Sequence, residues 1–303
     1  MNSSIRCFWK IKRKNWNKLV NKMSEKLYEV LHRASLFLEK HGREPRVAEI
    51  LLQHHLQVSR SEFFMRMRED IPNDVIEIFQ QDIHKHVKTG VPVQHVTGYE
   101  MFFGEKFHVN ADVLIPRPET EELVEHAIRI AKDQPISIAD IGTGSGVIAV
   151  TLAKQLKNAT VLATDISPNA LHVAKQNAEE HHADVTFYQG NFLEPLVRNN
   201  IQVDMLVSNP PYIARAEETL LSDTVKNFDP ALALFADEEG LYAYRKIIAD
   251  APKVVKPQGK IIFEIGHTQG EAVSRMMKEV YPTSNIQTIK DINGNDRIVS
   301  ARL

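Results

Sequence analysis

Ile136-Ser137-Ile138-Ala139-Asp140-Ile141-Gly142-Thr143-Gly144-Ser145-Gly146-Val147 is the stretch on which the fold reading turns. Its first half is a short apolar run of strand length; its second half carries glycine at alternate positions. Residues without side chains let the backbone turn tightly and approach a ligand closely, while the start of the following helix exposes free N–H groups. The nicotinamide fingerprint requires G-x-G-x-x-G. Here the third glycine comes one place early and Val147 holds the fingerprint position. Taken alone, the loop also reads as a plain strand-to-helix turn.

Outward from this stretch, strand and helix patterns alternate. Thr160–Thr164, Val185–Tyr188, Val203–Ser208 and Lys260–Glu264 are further apolar runs of strand length, with helical stretches at Val147–Leu156, Pro168–His181 and Leu241–Val255. That alternation predicts an α/β domain over 113–303, with a mostly parallel sheet covered by helices on both faces. Ser284–Lys290 and Arg297–Leu303, joined by Asn293-Gly294-Asn295, predict an antiparallel hairpin at the C-terminal end. Before the sheet, Val96 to Val109 reads as an aromatic-rich hairpin with Phe102, Phe103 and Phe107, inside a connector over 91–112.

Residues 23–90 follow a helical period. Leu27, Val30, Leu31, Ala34, Phe37 and Leu38 recur at intervals of three and four. Shorter helices are expected at Pro45–His55, Arg60–Met67 and Asn73–Lys88, the last capped by Asn73. His54-His55 is no metal motif, because neighbours on a helix point to different faces.

The 303 residues, 43% hydrophobic and 25% charged, suit two globular domains. No apolar run is long enough to span a bilayer. Cys7 is the lone cysteine, so neither a disulfide framework nor a thiolate metal site is expected, and a reducing, cytoplasmic setting fits. Residues 1–22 hold Arg6, Lys10, Lys12, Arg13, Lys14, Lys18 and Lys22 with no acid; removing these seven charges from the net −2 leaves the rest at −9. This leader lacks the features of a secretory signal, and its lysine excess and few serines count against a mitochondrial presequence. It reads as a dispensable extension. The acidic body has little to offer a phosphate backbone, so no nucleic-acid binding is expected. Nothing asks for a dimer, so the expectation is a monomer.

The glycine spacing resembles the first motif of class I methyltransferases, in which Gly142, Thr143, Gly144, Ser145 and Gly146 would admit the methionine and ribose portions of S-adenosylmethionine. Asp165 ends the second strand, where an acid can accept the ribose hydroxyls; the alternative is that it merely caps the helix begun by Ser167-Pro168. Phe192, after Gly190-Asn191, can stack on adenine or serve as core.

Val207-Ser208-Asn209-Pro210-Pro211-Tyr212 follows the fourth strand, at the edge where open α/β sheets bind ligands. An amide nitrogen is a poor nucleophile because its lone pair is delocalised into the carbonyl. Asn209 Oδ1 and the Pro210 carbonyl can accept its two N–H hydrogens and favour charge developing on it. The paired prolines stiffen the loop, and Tyr212 offers a flat face to a planar amide or base. A proline turn leaving a strand is the plain alternative.

With these motifs in order, the chain resembles the HemK/PrmC family of protein-(glutamine-N5) methyltransferases from about Met23 to Leu303. The resemblance rests further on Pro92-Val93-Gln94-His95-Val96-Thr97-Gly98, Phe103-Gly104, Ile115-Pro116-Arg117-Pro118-Glu119-Thr120-Glu121, Gly240-Leu241 with Tyr244-Arg245, Glu264-Ile265-Gly266 with Gln269-Gly270, and Gly294 with Asp296-Arg297. It implies a Rossmann-like class I fold with an antiparallel C-terminal strand and a helical N-terminal domain that recognises substrate. It also implies methyl transfer from S-adenosylmethionine to the glutamine of the Gly-Gly-Gln motif in a peptide chain release factor. Asn209, Pro210, Pro211 and Tyr212 would hold that glutamine, with cofactor contacts at Gly142 to Gly146, Asp165, Phe192 and Asn209, and no metal. Three sites depart from the pattern: His95 stands where tyrosine is usual, Ala236-Asp237 replaces a glycine pair, and Phe192 stands where related proteins can carry tryptophan. Arg117 and Glu119 are candidates for the substrate entrance, or simply begin a helix.

Three other functions compete. An adenine-N6 DNA or RNA methyltransferase can use the same asparagine-proline logic, but the chain has no basic target-recognition region. A non-catalytic S-adenosylmethionine-binding factor would not need paired acceptors. A nicotinamide oxidoreductase fails on glycine spacing.

Overall fold

The computed structural model describes residues 25–131 and 134–303, so the basic extension over 1–22 lies outside the described residues. Two compact units divide the described residues, the first ending at Thr97 and the second running over Gly98–Leu303.

The described part of the first unit is helical: α1 Leu27–Lys40, α2 Arg46–Leu56, α3 Arg60–Met65 and α4 Asn73–Thr89. The three-and-four spacing puts Leu27, Val30, Ala34 and Leu38 on one buried face, packed with Leu51, Leu52, Phe63, Phe79 and Ile83. Ser59 caps α3 reciprocally, taking the Glu62 N–H while Glu62 takes the Ser59 N–H. Asn73 does not cap α4. It is the first helical residue, because Pro72 already holds the extended conformation of the flanking position.

In the second unit the hairpin is β1 Tyr99–Phe102 with β2 Glu105–His108. It starts later than the expected Val96, since Val93–Thr97 form a short helix that stops at Gly98, whose φ is +80°. Phe103 and Gly104 both take positive φ, the two-residue turn whose twist matches paired strands. Phe102 and Phe107 meet edge to face beneath it.

Next come α5 Pro118–Ala131, β3 Ile136–Ile141, α6 Val147–Gln155, β4 Ala159–Asp165, α7 Pro168–Glu180, β5 Val185–Gln189 and β6 Val203–Ser208. The chain ends with α8 Tyr242–Val254, β7 Val255–Glu264, α9 Gly270–Val280, β8 Asn285–Lys290 and β9 Asp296–Arg302. Among the described residues, seven strands form one sheet in the order β8-β9-β7-β6-β3-β4-β5. β9 runs antiparallel to both neighbours and the other pairings are parallel. Helices α5 and α6 cover one face, burying Leu123, Val124, Val150 and Leu152 against Ile138, Val161 and Val207. Helices α8 and α9 cover the other, burying Tyr244, Ile247, Val273 and Met277 against Ile141, Leu206 and Phe263. Strand order reverses between β3 and β6, which opens a crevice beyond their carboxyl ends, where such sheets bind ligands. No helix among the described residues is long and apolar enough to cross a membrane.

Candidate active site

The crevice is a cavity of about 360 Å³, within the range of small-molecule sites. Gly142, Thr143, Gly144, Ser145, Asp165, Phe192, Asn209 and Pro211 of the predicted set line it, with Thr120, Arg117 and Tyr242. Gly146, Pro210 and Tyr212 stand behind that lining.

The glycine loop is held from beneath. Gly142 and Thr143 donate their N–H groups to the Thr164 carbonyl at 2.9 and 3.0 Å. Thr143 Oγ1 donates to buried Asp140 Oδ2 at 2.6 Å, and Asn177 Nδ2 donates to the Ser145 carbonyl at 2.8 Å. Asn177 also brackets His108, accepting its N–H and donating to its carbonyl, which ties the hairpin to the loop. A Cβ on Gly142 or Gly144 would meet no protein atom within 4 Å, so the cavity side of the loop is open. Gly146 serves packing instead: at φ +84° its missing Cβ would lie 3.0 Å from Ala174 of α7.

Asp165 does not cap α7; Ser167 does, its Oγ accepting the Ala170 N–H at 3.2 Å, and Asp165 braces that cap and the glycine loop. Oδ1 accepts the Ser167 N–H and Oδ2 the Gly144 N–H, both at 2.9 Å. Burial raises its pKa against those backbone bonds. Each carboxylate oxygen keeps a further lone pair for a diol. Phe192 lies half-buried with its ring near Tyr242, while its carbonyl accepts from Thr164 Oγ1 at 2.9 Å. An acceptor at the second strand, an open glycine loop and an aromatic wall fit the ribose, methionine and adenine portions of S-adenosylmethionine.

The Asn-Pro-Pro-Tyr loop leaves β6 beside the tip of β3, where Ser208 Oγ donates to the Ile141 carbonyl. Asn209 Nδ2 donates to Thr120 Oγ1 at 3.1 Å, and Thr120 Oγ1 donates to Glu264 Oε2 at 2.7 Å. Glu264 is 1% exposed at the end of β7. Burial lifts its pKa to about 7; the Thr120 hydroxyl, Arg297 and Asn209 oppose the rise and Glu119 adds to it. Tyr212 packs among core residues rather than lining the cavity, and burial pushes its hydroxyl to about 12. Its carbonyl is held by Gln269 Nε2 at 3.0 Å, while Gln269 Oε1 takes the Gly266 N–H at the same distance. A Cβ on Gly240, at φ +83°, would stand 2.1 Å from that Tyr212 oxygen. Thus Thr120, Glu264, Gln269 and Gly240 brace the loop. Sequence reasoning quoted all four in family motifs but could not assign them this task.

Arg117 reaches the cavity and pairs through Nη2 with Asp229 Oδ2 at 2.7 Å, whereas Glu119 stays off the lining. His95 sits in the short Val93–Thr97 helix. At the other departure, Ala236 pairs with Ala214 and Asp237 lines the cavity; the left-handed conformations fall on Glu238 and Glu239, ahead of Gly240. Among the described residues no cluster of histidine, cysteine and acid side chains could hold a metal ion.

The family profile of the PrmC N-terminal domain matches residues 29–98, and that of the methyltransferase small domain matches 120–231. The chain is 43% identical to the release factor glutamine methyltransferase of Bacillus cereus over 282 residues, covering 92% of this chain and 99% of that one. It is 42% identical to the protein of the same name from Bacillus subtilis over 280 residues, 91% of this chain and 97% of the relative. For Staphylococcus aureus the figures are 41% over 276 residues, 91% and 97%. Among solved structures, the hMettl16 catalytic domain in complex with a 3′UTR hairpin superposes with a TM-score of 0.53 at 19% identity, over 66% of this chain and 75% of that one, a likeness of fold.

Proposed function

The chain belongs to the release factor glutamine methyltransferase family, and from that premise we propose how its residues methylate the glutamine side chain of a peptide chain release factor at N5. S-adenosylmethionine supplies an electrophilic methyl group on a sulfonium. Gly142 to Ser145 and Asp165 hold that cofactor in the crevice, with Phe192 beside the base. Asn209 Oδ1 and the Pro210 carbonyl take the two N–H hydrogens of the substrate amide. They orient its nitrogen and stabilise positive charge as it develops there. The short, braced loop supplies the alignment, and holding two reactants in a near-attack geometry removes several kcal/mol of the barrier. Beyond its carbonyl, Pro210 stiffens the loop; Tyr212 packs behind it, and Pro211 forms part of the wall.

The observation that carries this reading is the orientation of Asn209. Asn209 lines the cavity and its Nδ2 is engaged by Thr120, which leaves Oδ1 to accept from the substrate. The Gly-Gly-Gln tripeptide is the segment read in the crevice. The helical unit supplies recognition of the rest of the release factor, since the crevice is too small to do so. The same reading makes this a cytoplasmic monomer that binds no nucleic acid directly.

Asn209→Ala tests the assignment. Its single-turnover methylation of an intact release factor should fall by roughly 10²–10³, the scale for losing a preorganised polar group. Affinity for S-adenosylhomocysteine should change far less. A release factor with Gln→Ala in its tripeptide is the blank, and duplex DNA in parallel tests the adenine alternative. Methyl transfer to DNA, or a near-wild-type rate in Asn209→Ala, would overturn the reading.

A further inference from the structure

Asparagine is a two-faced side chain: its oxygen accepts and its nitrogen donates, the two ends are nearly equal in shape, and only the surrounding hydrogen bonds decide which points where. For amide methylation the difference is decisive. An oxygen facing the substrate nitrogen accepts its N–H; a nitrogen there sets donor against donor.

We propose that Glu264 is a positioning residue which, acting through Thr120, fixes the Asn209 amide with its oxygen toward the substrate. The proposal rests on the reading of Asn209 given above. Thr120 is 3% exposed and Glu264 1%, so Glu264 in particular must find its hydrogen-bond partners within the protein. A hydroxyl carries one proton. With Glu264 ionised, its carboxylate can only accept, so the Thr120 proton goes to Glu264 Oε2 at 2.7 Å. The Thr120 oxygen is then left as an acceptor, and Asn209 Nδ2 supplies the donor at 3.1 Å. The polarity of the chain runs from Asn209 through Thr120 to Glu264, and the Asn209 amide also faces the carboxylate as a donor. Protonated Glu264 becomes a donor and the chain can reverse: its O–H goes to Thr120, the Thr120 O–H goes to Asn209 Oδ1, and the amide presents N–H to the substrate.

The groups facing Glu264 suit such a relay. Arg297, itself paired with Asp291, favours the carboxylate from the β9 side, while Glu119 on α5 opposes it. Tyr212 and Tyr244 stay neutral, since burial raises both hydroxyls. Tyr244 donates to the Glu264 backbone carbonyl at 2.8 Å, not to the carboxylate, and so holds the strand end in place. Burial brings the Glu264 pKa to about 7, so the proton that sets the relay exchanges near neutrality. The sign follows: the ionised, competent form dominates above that value, and activity is lost as pH falls through it.

Single-turnover methylation of an intact release factor, across about pH 6 to 9, tests the relay. Thr120→Val should lose about 10–100-fold in rate, the scale of one hydrogen bond to a charged group, while S-adenosylhomocysteine affinity, read by calorimetry, holds. Thr120→Ser, which restores the hydroxyl, should recover most of the rate. The wild-type rate should fall on the acid side of about pH 7, and Glu264→Gln should abolish that fall whatever its plateau. A wild-type rate in Thr120→Val, no recovery in Thr120→Ser, or a Glu264→Gln profile that overlays the wild-type curve would each overturn the proposal. If Glu264→Gln does not fold, the Thr120 pair decides. Asn209→Ala, run alongside, separates the two readings. A slow Asn209→Ala with a fast Thr120→Val removes the relay alone, whereas a fast Asn209→Ala removes the Asn209 assignment and the relay together.

Discussion

Asp165 shows how one side chain carries two duties. Its oxygens take the N–H groups of Gly144 and Ser167, so it both shapes the glycine loop and braces the residue that caps α7. The remaining lone pairs are what a ribose diol needs. Asp165→Ala should therefore weaken S-adenosylhomocysteine binding by about 1–3 kcal/mol, the scale for charge-assisted hydrogen bonds. Calorimetry measures this directly, and unchanged affinity would leave Asp165 as a brace of the glycine loop and of the Ser167 cap only. Because the same change strips two backbone partners, the melting temperature should fall as well. At this scale sequence reasoning located Asp165 by its place after the glycine loop. It could not tell capping from ribose binding, since both use the same carboxylate.

Among elements, the segment between β6 and α8 shapes the site most. Gly240 lets the chain pass against the Tyr212 carbonyl, where Gln269 clamps the Asn-Pro-Pro-Tyr loop. Two adjacent glutamates, Glu238 and Glu239, are held left-handed, a conformation that costs a residue with a Cβ about 1 kcal/mol or more. Arg245 engages Glu238 across the turn. Gly240→Ala should cost about 1–3 kcal/mol of stability, because both the positive φ and the Tyr212 oxygen oppose a methyl group. It should also slow methylation by displacing the loop. Thermal unfolding and single-turnover rates check this, and a variant with wild-type values of both would show that the turn yields freely. The alternation of strands and helices announced the principal elements, because each run has one dominant period. This turn was not legible: without the glycine pair usual before Gly240, nothing local marks where the left-handed residues fall.

At the scale of the whole molecule, the chain folds as two units. The larger unit contains the whole crevice and its own two-faced core, so it has what cofactor binding needs. A chain lacking residues 1–97 should still bind S-adenosylhomocysteine within a few-fold of the full chain while losing most activity on an intact release factor, as expected when recognition is lost and the pocket is kept. Full activity on the protein would move recognition elsewhere. The sequence by itself determined the helical unit, the parallel sheet with its antiparallel final hairpin, and the loops after β3 and β6 that face the crevice. Those features follow from local periods of two and 3.6 residues and from glycine and proline, whose conformational limits act at their own positions. Only the tertiary structure decided which way Asn209 faces, because that depends on Thr120, 89 residues earlier in the chain, and on Glu264 at the end of another strand. Likewise it alone moved Tyr212 from the cavity wall into the packing behind it, held by Gln269 from 57 residues away. A buried polar partner brought from a distant element leaves no periodic trace in the chain; it exists only once the sheet has aligned the strand ends.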